Sequence, residues 1–202
     1  MNYFVTAIDT DSGKTLVSAI ITEMLGTGYW KPVQAGYPTD TEAVKNLVTR
    51  GSVTYYPERY LLQMPASPHA AAKAEGVDIH LEDFVVPEGS SDLVIEGAGG
   101  ALVPLNDEDN VIDLAGQLDL EVVVVSNLYL GSINHTLLTA EAIKSRNLRV
   151  KGVIFNGAPN PESERVILLR TGWKKLLHIE RETQVTKEVV QSYAKKLKAN
   201  WS

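Results

Sequence analysis

The stretch Ala7-Ile8-Asp9-Thr10-Asp11-Ser12-Gly13-Lys14-Thr15 follows the apolar run Tyr3-Phe4-Val5-Thr6 and leads into a helical pattern over 16–25. A strand that turns through Gly-Lys-Thr into a helix tightly limits the fold. The turn must sit at a strand's carboxyl end, with backbone N–H groups and the helix N-terminus facing an anion. The chemistry is that of a phosphate cradle built on Asp11, Ser12, Gly13, Lys14 and Thr15: the lysine ammonium bridges the outer phosphates and the threonine hydroxyl holds Mg²⁺. The stretch departs from G-x-x-x-x-G-K-[ST] at one place, since Ile8 stands where the first glycine belongs. Strand, Gly-Lys-Thr and helix together still signal a nucleotide.

Short β-branched runs alternate with helical patterns along the whole chain. Strands are predicted over 3–8, 29–33, 92–96, 121–126 and 150–156, with a weaker one over 176–179. Helices are predicted over 15–25, 41–49, 68–75, 111–118, 133–146, 162–169 and 186–199. Val122-Val123-Val124-Val125 is apolar on both faces, as a strand covered by helices on both sides must be. The alternation predicts an α/β fold of the P-loop NTPase type: a doubly wound, mostly parallel sheet with helices on both faces. Its ligands would gather at the carboxyl ends of the strands. The 57–68 segment, with Pro57, Pro65 and Pro68, reads as an irregular loop inside one domain spanning 1–202.

Composition narrows the function. The 202 residues carry 25 acidic and 19 basic side chains, a net charge of −6, which argues against a nucleic-acid or anionic-membrane partner. Cysteine is absent, so there is no disulfide, thiolate metal site or thiol nucleophile. No basic segment followed by an apolar core is visible, and no apolar run long enough to span a bilayer; the cytoplasm is the expected location.

Each strand ends in a group with chemistry. The second ends in Lys31-Pro32-Val33-Gln34-Ala35-Gly36, where the proline fixes the backbone after the lysine. Asp40 follows, and it also fits the N-cap of the next helix. The third gives Val94-Ile95-Glu96-Gly97-Ala98-Gly99-Gly100, a carboxylate beside a glycine-rich turn, suited to a metal or to a plain turn. Asn156 opens an Asn-Gly dipeptide, itself a turn former. His69 and His135 stand beside helix starts and read as structural, while His80 and His178 carry no signal.

Taken together, the Asp9 to Thr15 loop, Lys31-Pro32-Val33-Gln34, Ser67-Pro68-His69, the Glu96 to Gly100 turn and Leu130-Gly131-Ser132-Ile133-Asn134-His135 resemble the dethiobiotin synthetases of biotin biosynthesis. The segments fall in family order over roughly residues 1–160. Partitioning ATPases differ by a second lysine early in the loop, where this chain has Asp9 and Thr10.

The resemblance implies ATP- and Mg²⁺-dependent carboxylation and ring closure of 7,8-diaminononanoate with CO₂. Products are dethiobiotin, ADP and phosphate, formed through a carbamate and a carbamic-phosphoric anhydride. It implies that Lys14 meets the ATP phosphates, that Thr15, Asp40 and Glu96 complete the Mg²⁺ site, and that Lys31 and Thr10 hold the carbamate. Gly131, Ser132, Ile133 and Asn134 would take the substrate's distant carboxylate across a homodimer interface, as a helix N-terminus suits an anion. Asn156 would read adenine. Such chemistry needs no protein nucleophile.

Two departures bear on these roles. Ala35 stands where relatives carry serine or threonine, and Leu176-Leu177-His178-Ile179-Glu180-Arg181 replaces a Gly-Arg-Ile-Pro-like segment near the base. Two rival functions stay open: another carboxylate-activating P-loop synthetase, and a non-catalytic nucleotide-binding regulator of the same fold.

Overall fold

The structure, a computed structural model, describes residues 1–89 and 92–201. Strands are β1 Asn2–Ala7, β2 Gly28–Trp30, β3 Val33–Ala35, β4 Tyr55–Tyr56, β5 Tyr60–Leu62, β6 Leu93–Glu96, β7 Glu121–Asn127, β8 Val150–Asn156 and β9 Lys175–Ile179. Helices are α1 Lys14–Leu25, α2 Asp40–Leu47, α3 Pro68–Glu75, α4 Asp113–Gln117, α5 Ser132–Ser145, α6 Pro161–Thr171 and α7 Lys187–Lys198.

Among the described residues the main sheet runs β4-β2-β6-β1-β7-β8-β9, and all of its pairings are parallel. The chain moves outward from β1 on one side to β2 and β4, and on the other to β7, β8 and β9. The direction of winding therefore reverses beside β1, whose carboxyl end opens into the Gly-Lys-Thr turn, the position where such sheets collect ligands.

Alternation along the strands sorts side chains into two cores. Tyr3, Val5 and Ala7 of β1 pack with Val17, Ile20 and Ile21 of α1 and Val190 and Leu197 of α7. Phe4 faces the opposite way, with Ile112, Leu114, Ile143 and Ile167. Val122 and Val124 join that second core and Val123 and Val125 the first, so the four-valine run is buried on both faces as its sequence requires.

Two departures from the sequence reading matter for the site. The predicted strand over 29–33 is broken at Lys31-Pro32 into β2 and β3. Proline has no N–H to continue a ladder, and the Pro32 carbonyl instead accepts from Arg59 and Tyr60 N–H at 2.9 and 3.0 Å. Those bonds lead into β5, which pairs with β3 in a separate two-stranded ribbon, so the 57–68 segment is not wholly irregular. The break releases Lys31 from the sheet surface and directs it inward. The helix predicted over 111–118 shortens to α4.

Candidate active site

The Gly-Lys-Thr turn has the backbone its sequence demands. Gly13 caps α1 at φ 96° and Asp11 also holds a positive φ of 53°, so the loop curls back over the helix N-terminus. The Lys14 ammonium turns back to donate to the Asp9 carbonyl at 3.2 Å. Burial, and secondarily the charge of Lys31, lower its pKa to about 8.

Three elements bring oxygen ligands together. Thr15 opens α1, Asp40 opens α2 and Glu96 closes β6; the Thr15 hydroxyl lies 3.2 Å from Asp40 Oδ1 and 3.0 Å from Glu96 Oε1. Asp40 is not the N-cap of α2. Thr39 takes that place, accepting from Glu42 N–H, which frees the Asp40 carboxylate for the site.

Lys31 binds the same carboxylates, donating to Asp40 Oδ2 at 2.7 Å, Glu96 Oε1 at 3.3 Å and the Gly97 carbonyl at 2.7 Å. Burial opposes the Lys31 charge, but the Glu96 and Asp40 carboxylates outweigh it and hold the pKa above the ordinary lysine value. Asp40 is likewise held below the usual carboxylate range: burial works against its charge, and Lys31 overrides burial.

These groups share a cavity of about 680 Å³, lined also by Thr10, Asp11 and Gly13 on one side, Ala35 and Gln34 on another, and Pro65 to Pro68 at the mouth of α3. The donor set fits Mg²⁺. It offers hard oxygens from a hydroxyl and two carboxylates, and Mg²⁺ characteristically takes one or two carboxylates and leaves other positions to water and phosphate. Among the described residues no group of three or more His, Cys, Asp or Glu side chains is spaced to hold a metal unaided.

Other residues singled out in the sequence lie apart. Asn156 and Ser12 do not line this cavity; the Asn156 amide instead donates to the Ser12 carbonyl at 2.8 Å, bracing the loop from behind. Gly131 caps α5, and Ser132, Ile133 and Asn134 form its first turn, outside the cavity. Beside them lies a concavity of about 400 Å³ lined by Leu102, Val103, Pro104, His135 and Leu138. Leu102 and Leu138 are exposed there, and Leu130, next to Gly131, is exposed as well. His135 is engaged with the Tyr129 hydroxyl, and His69 lies in the first turn of α3.

The sequence reading missed two residues of the site. Tyr29, fully buried, donates its hydroxyl to Glu96 Oε2 at 2.9 Å, and burial and then the Glu96 charge raise its pKa well above the usual phenol value. Gln34 accepts from Asp40 N–H at 3.0 Å and donates to the Gly36 carbonyl, fixing the start of α2. Tyr29 was findable in principle, two residues before Lys31 along an extended segment and so on the same face.

A family model described as an AAA domain matches residues 1–189. The fold is similar to the cell division ATPase MinD of Pyrococcus furiosus, with a TM-score of 0.61 at 12% identity over 98% of both chains. It is also similar to a ParA family ATPase from Chlorobium tepidum, with a TM-score of 0.59 at 12% identity, over 98% of this chain and 92% of the other. Nearer in sequence is an ATP-dependent dethiobiotin synthetase of Cytophaga hutchinsonii, 59% identical over 201 residues, 98% of each chain. Those of Christiangramia forsetii and Brucella ovis are 44% and 45% identical, covering 98% and 81% of this chain and 96% and 78% of their own lengths. The fold is shared widely, but identity at this level over 98% of the chain shows the family, and the chain belongs to the ATP-dependent dethiobiotin synthetase family.

Proposed function

We propose that this chain catalyses the ATP- and Mg²⁺-dependent conversion of 7,8-diaminononanoate and CO₂ to dethiobiotin, ADP and phosphate. The observation that carries the reading is the convergence of Lys14, Thr15, Lys31, Asp40 and Glu96 on one cavity, with two buried ammonium groups facing oxygen ligands.

The chemistry asks for charge placement and not for a protein nucleophile. A neutral amine adds to CO₂, losing a proton, and gives a carbamate whose carbon is a poor electrophile. A carbamate oxygen attacks the γ-phosphorus, ADP departs, and the carbonyl carbon now carries a phosphate leaving group. The neighbouring amine attacks that carbon, loses a proton and expels phosphate as the five-membered ureido ring closes. Lys14 stabilises the transferring phosphoryl group, and Lys31 with Thr10 holds the carbamate. The Lys31 ammonium uses all three protons here, and the Glu96 contact, its longest, is the one to exchange for a carbamate oxygen. Thr15, Asp40 and Glu96 would hold Mg²⁺, which supplies charge neutralisation on the phosphate oxygens.

Asp11, Ser12 and Gly13 complete the phosphate loop, with Asn156 on the base side. We assign the substrate's distant carboxylate to Gly131, Ser132, Ile133 and Asn134 of a second copy, making the enzyme a homodimer. The position of this turn outside the cavity and the exposed Leu102, Leu130 and Leu138 support that assignment. No helix among the described residues is long and apolar enough to cross a membrane.

The test supplies the protein with ATP, Mg²⁺, 7,8-diaminononanoate and labelled bicarbonate. Label in an acid-stable ring, with phosphate release that needs both CO₂ and the diamine, is expected. Vigorous phosphate release in CO₂-free buffer, indifferent to the diamine, would sink the reading in favour of another ATPase. Nucleotide binding with no turnover would favour the regulator.

A further inference from the structure

His178 has acceptors on both ring nitrogens. Nδ1 lies 2.9 Å from Glu164 Oε1, and Nε2 lies 3.0 Å from the Gly157 carbonyl. A carbonyl and a carboxylate oxygen only accept, so both contacts are made together only by a ring carrying two N–H groups. Glu164 is a buried residue of α6 whose other oxygen takes Lys175 at 2.5 Å. The charged groups facing the ring are thus Glu164 and, through the same carboxylate, Lys175. On α7, Tyr193 accepts from Glu180 N–H and donates to Glu182, two residues of the segment that follows β9.

Gly157 is no passive partner. It holds φ at +115°, its N–H donates to Ile179 O at 2.9 Å, and its neighbour Asn156 braces the phosphate loop through the Ser12 carbonyl. The loop presses on this brace: a Cβ at Gly13 would come within 2.4 Å of Asn156 Nδ2. A continuous run of contacts therefore links Glu164 through His178, Gly157 and Asn156 to Ser12 and Gly13.

We infer that His178, held by Glu164, is a positioning residue for the phosphate loop: its grip on Gly157 sets Asn156 against Ser12 and so sets nucleotide affinity. The inference rests on the reading that the Gly13 to Thr15 loop binds nucleotide phosphates.

Two substitutions divide the ring's functions. His178→Asn keeps a donor near the place of Nδ1 for Glu164 and drops the grip on Gly157. His178→Gln keeps a donor near the place of Nε2 for Gly157 and drops Glu164. Calorimetric affinities are measured on the full chain for ADP and for inorganic pyrophosphate, in chelator, without diamine or bicarbonate. The Asn variant should bind both probes about tenfold more weakly, the scale of one charge-assisted hydrogen bond, and the Gln variant within about twofold of the parent. Equal weakening in both variants, or no weakening in the Asn variant, overturns the inference. Loss for ADP with none for pyrophosphate overturns the route through the loop.

Should either variant fail to fold, amide hydrogen exchange at Ser12 and Gly13 is compared between the parent and the variant that folds. Faster exchange than the parent's is expected for the Asn variant and parent-like exchange for the Gln variant. The opposite result in whichever folds overturns the inference. Because turnover is never read, the inference can fail while dethiobiotin formation stands, or hold while that reading falls.

Discussion

At the scale of single residues, burial works against the charge of both lysines, and only at Lys31 do the neighbouring carboxylates outweigh it. Lys14 is desolvated with its nearest countercharges outweighed, and its pKa sits at about 8. In the free protein the charge that meets ATP is therefore present below about pH 8 and lost above it. Since kcat/KM reports the free enzyme, kcat/KM for ATP should fall above about pH 8, a profile steady-state kinetics will show. The substrate amine, with a solution pKa of roughly 10, pushes the diamine's kcat/KM upward over the same range. A flat ATP profile would mean that Lys14 does not meet the phosphates. Lys14→Ala should lower turnover by ~10²-fold or more, as for one preorganised charge contact. Lys31 is different, because its charge balances two carboxylates inside the protein. Lys31→Ala should destabilise the fold by roughly 3–5 kcal/mol, the penalty of breaking a buried pair, beyond any loss of activity. Thermal unfolding decides this, and an unshifted Tm would show that water already screens Asp40 and Glu96.

At the scale of elements, the legible parts were those written in local pattern. The alternation of apolar runs located β1, β6, β7 and β8, and Gly-Lys-Thr located the start of α1. The β2–β3 break was written only in Pro32, and its partner β5 was hidden in a three-residue strand within a proline-rich segment whose pairing is non-local. The same limit applies to the site: Lys14, Thr15 and Glu96 stood at strand ends and were visible. The position of Tyr29 beside Lys31 was legible, but its bond to Glu96, like the Glu164–His178 contact, forms only once separate elements pack. The 13–156 contact of this kind is open to test. Gly13→Ala meets two obstacles, a φ of 96° that L residues rarely adopt and a Cβ 2.4 Å from Asn156 Nδ2. Adding Asn156→Ala removes the second obstacle only, so thermal stability should recover in part. Full recovery would show that contact alone, and not the backbone, demands glycine. Glu96→Gln in turn should raise the Mg²⁺ concentration for half-maximal activity with the fold retained, because the amide keeps the shape and loses the charge. Unchanged metal dependence would leave Glu96 as a hydrogen-bond partner of Thr15, Tyr29 and Lys31, with no part in holding the metal.

At the scale of the whole molecule, the fold by itself leaves the reaction open, since ATPases at 12% identity share it. What a single chain presents is half of the proposed site: the residues assigned to phosphate and carbamate line one cavity, and the turn assigned to the carboxylate lies outside it. A symmetric dimer would bring the turn of one copy to the cavity of the other twice over. Asn134 is exposed in the first turn of α5, where an acidic residue suits the helix, so Asn134→Asp should fold and still repel the substrate carboxylate. Mixed with Lys14→Ala, it discriminates between the arrangements. In a mixed dimer one site combines both lesions, while the other takes Lys14 from one chain and Asn134 from its partner and is whole. Random exchange makes half the dimers mixed, each with one intact site of two, so about a quarter of parental turnover should return from two inactive proteins. Sites built within one chain would regain nothing, because each chain carries its own lesion wherever it pairs. The readout is dethiobiotin formed per total chain, with exchange verified by native mass spectrometry, and absence of recovery after verified exchange would place the carboxylate pocket within the chain that holds Lys14.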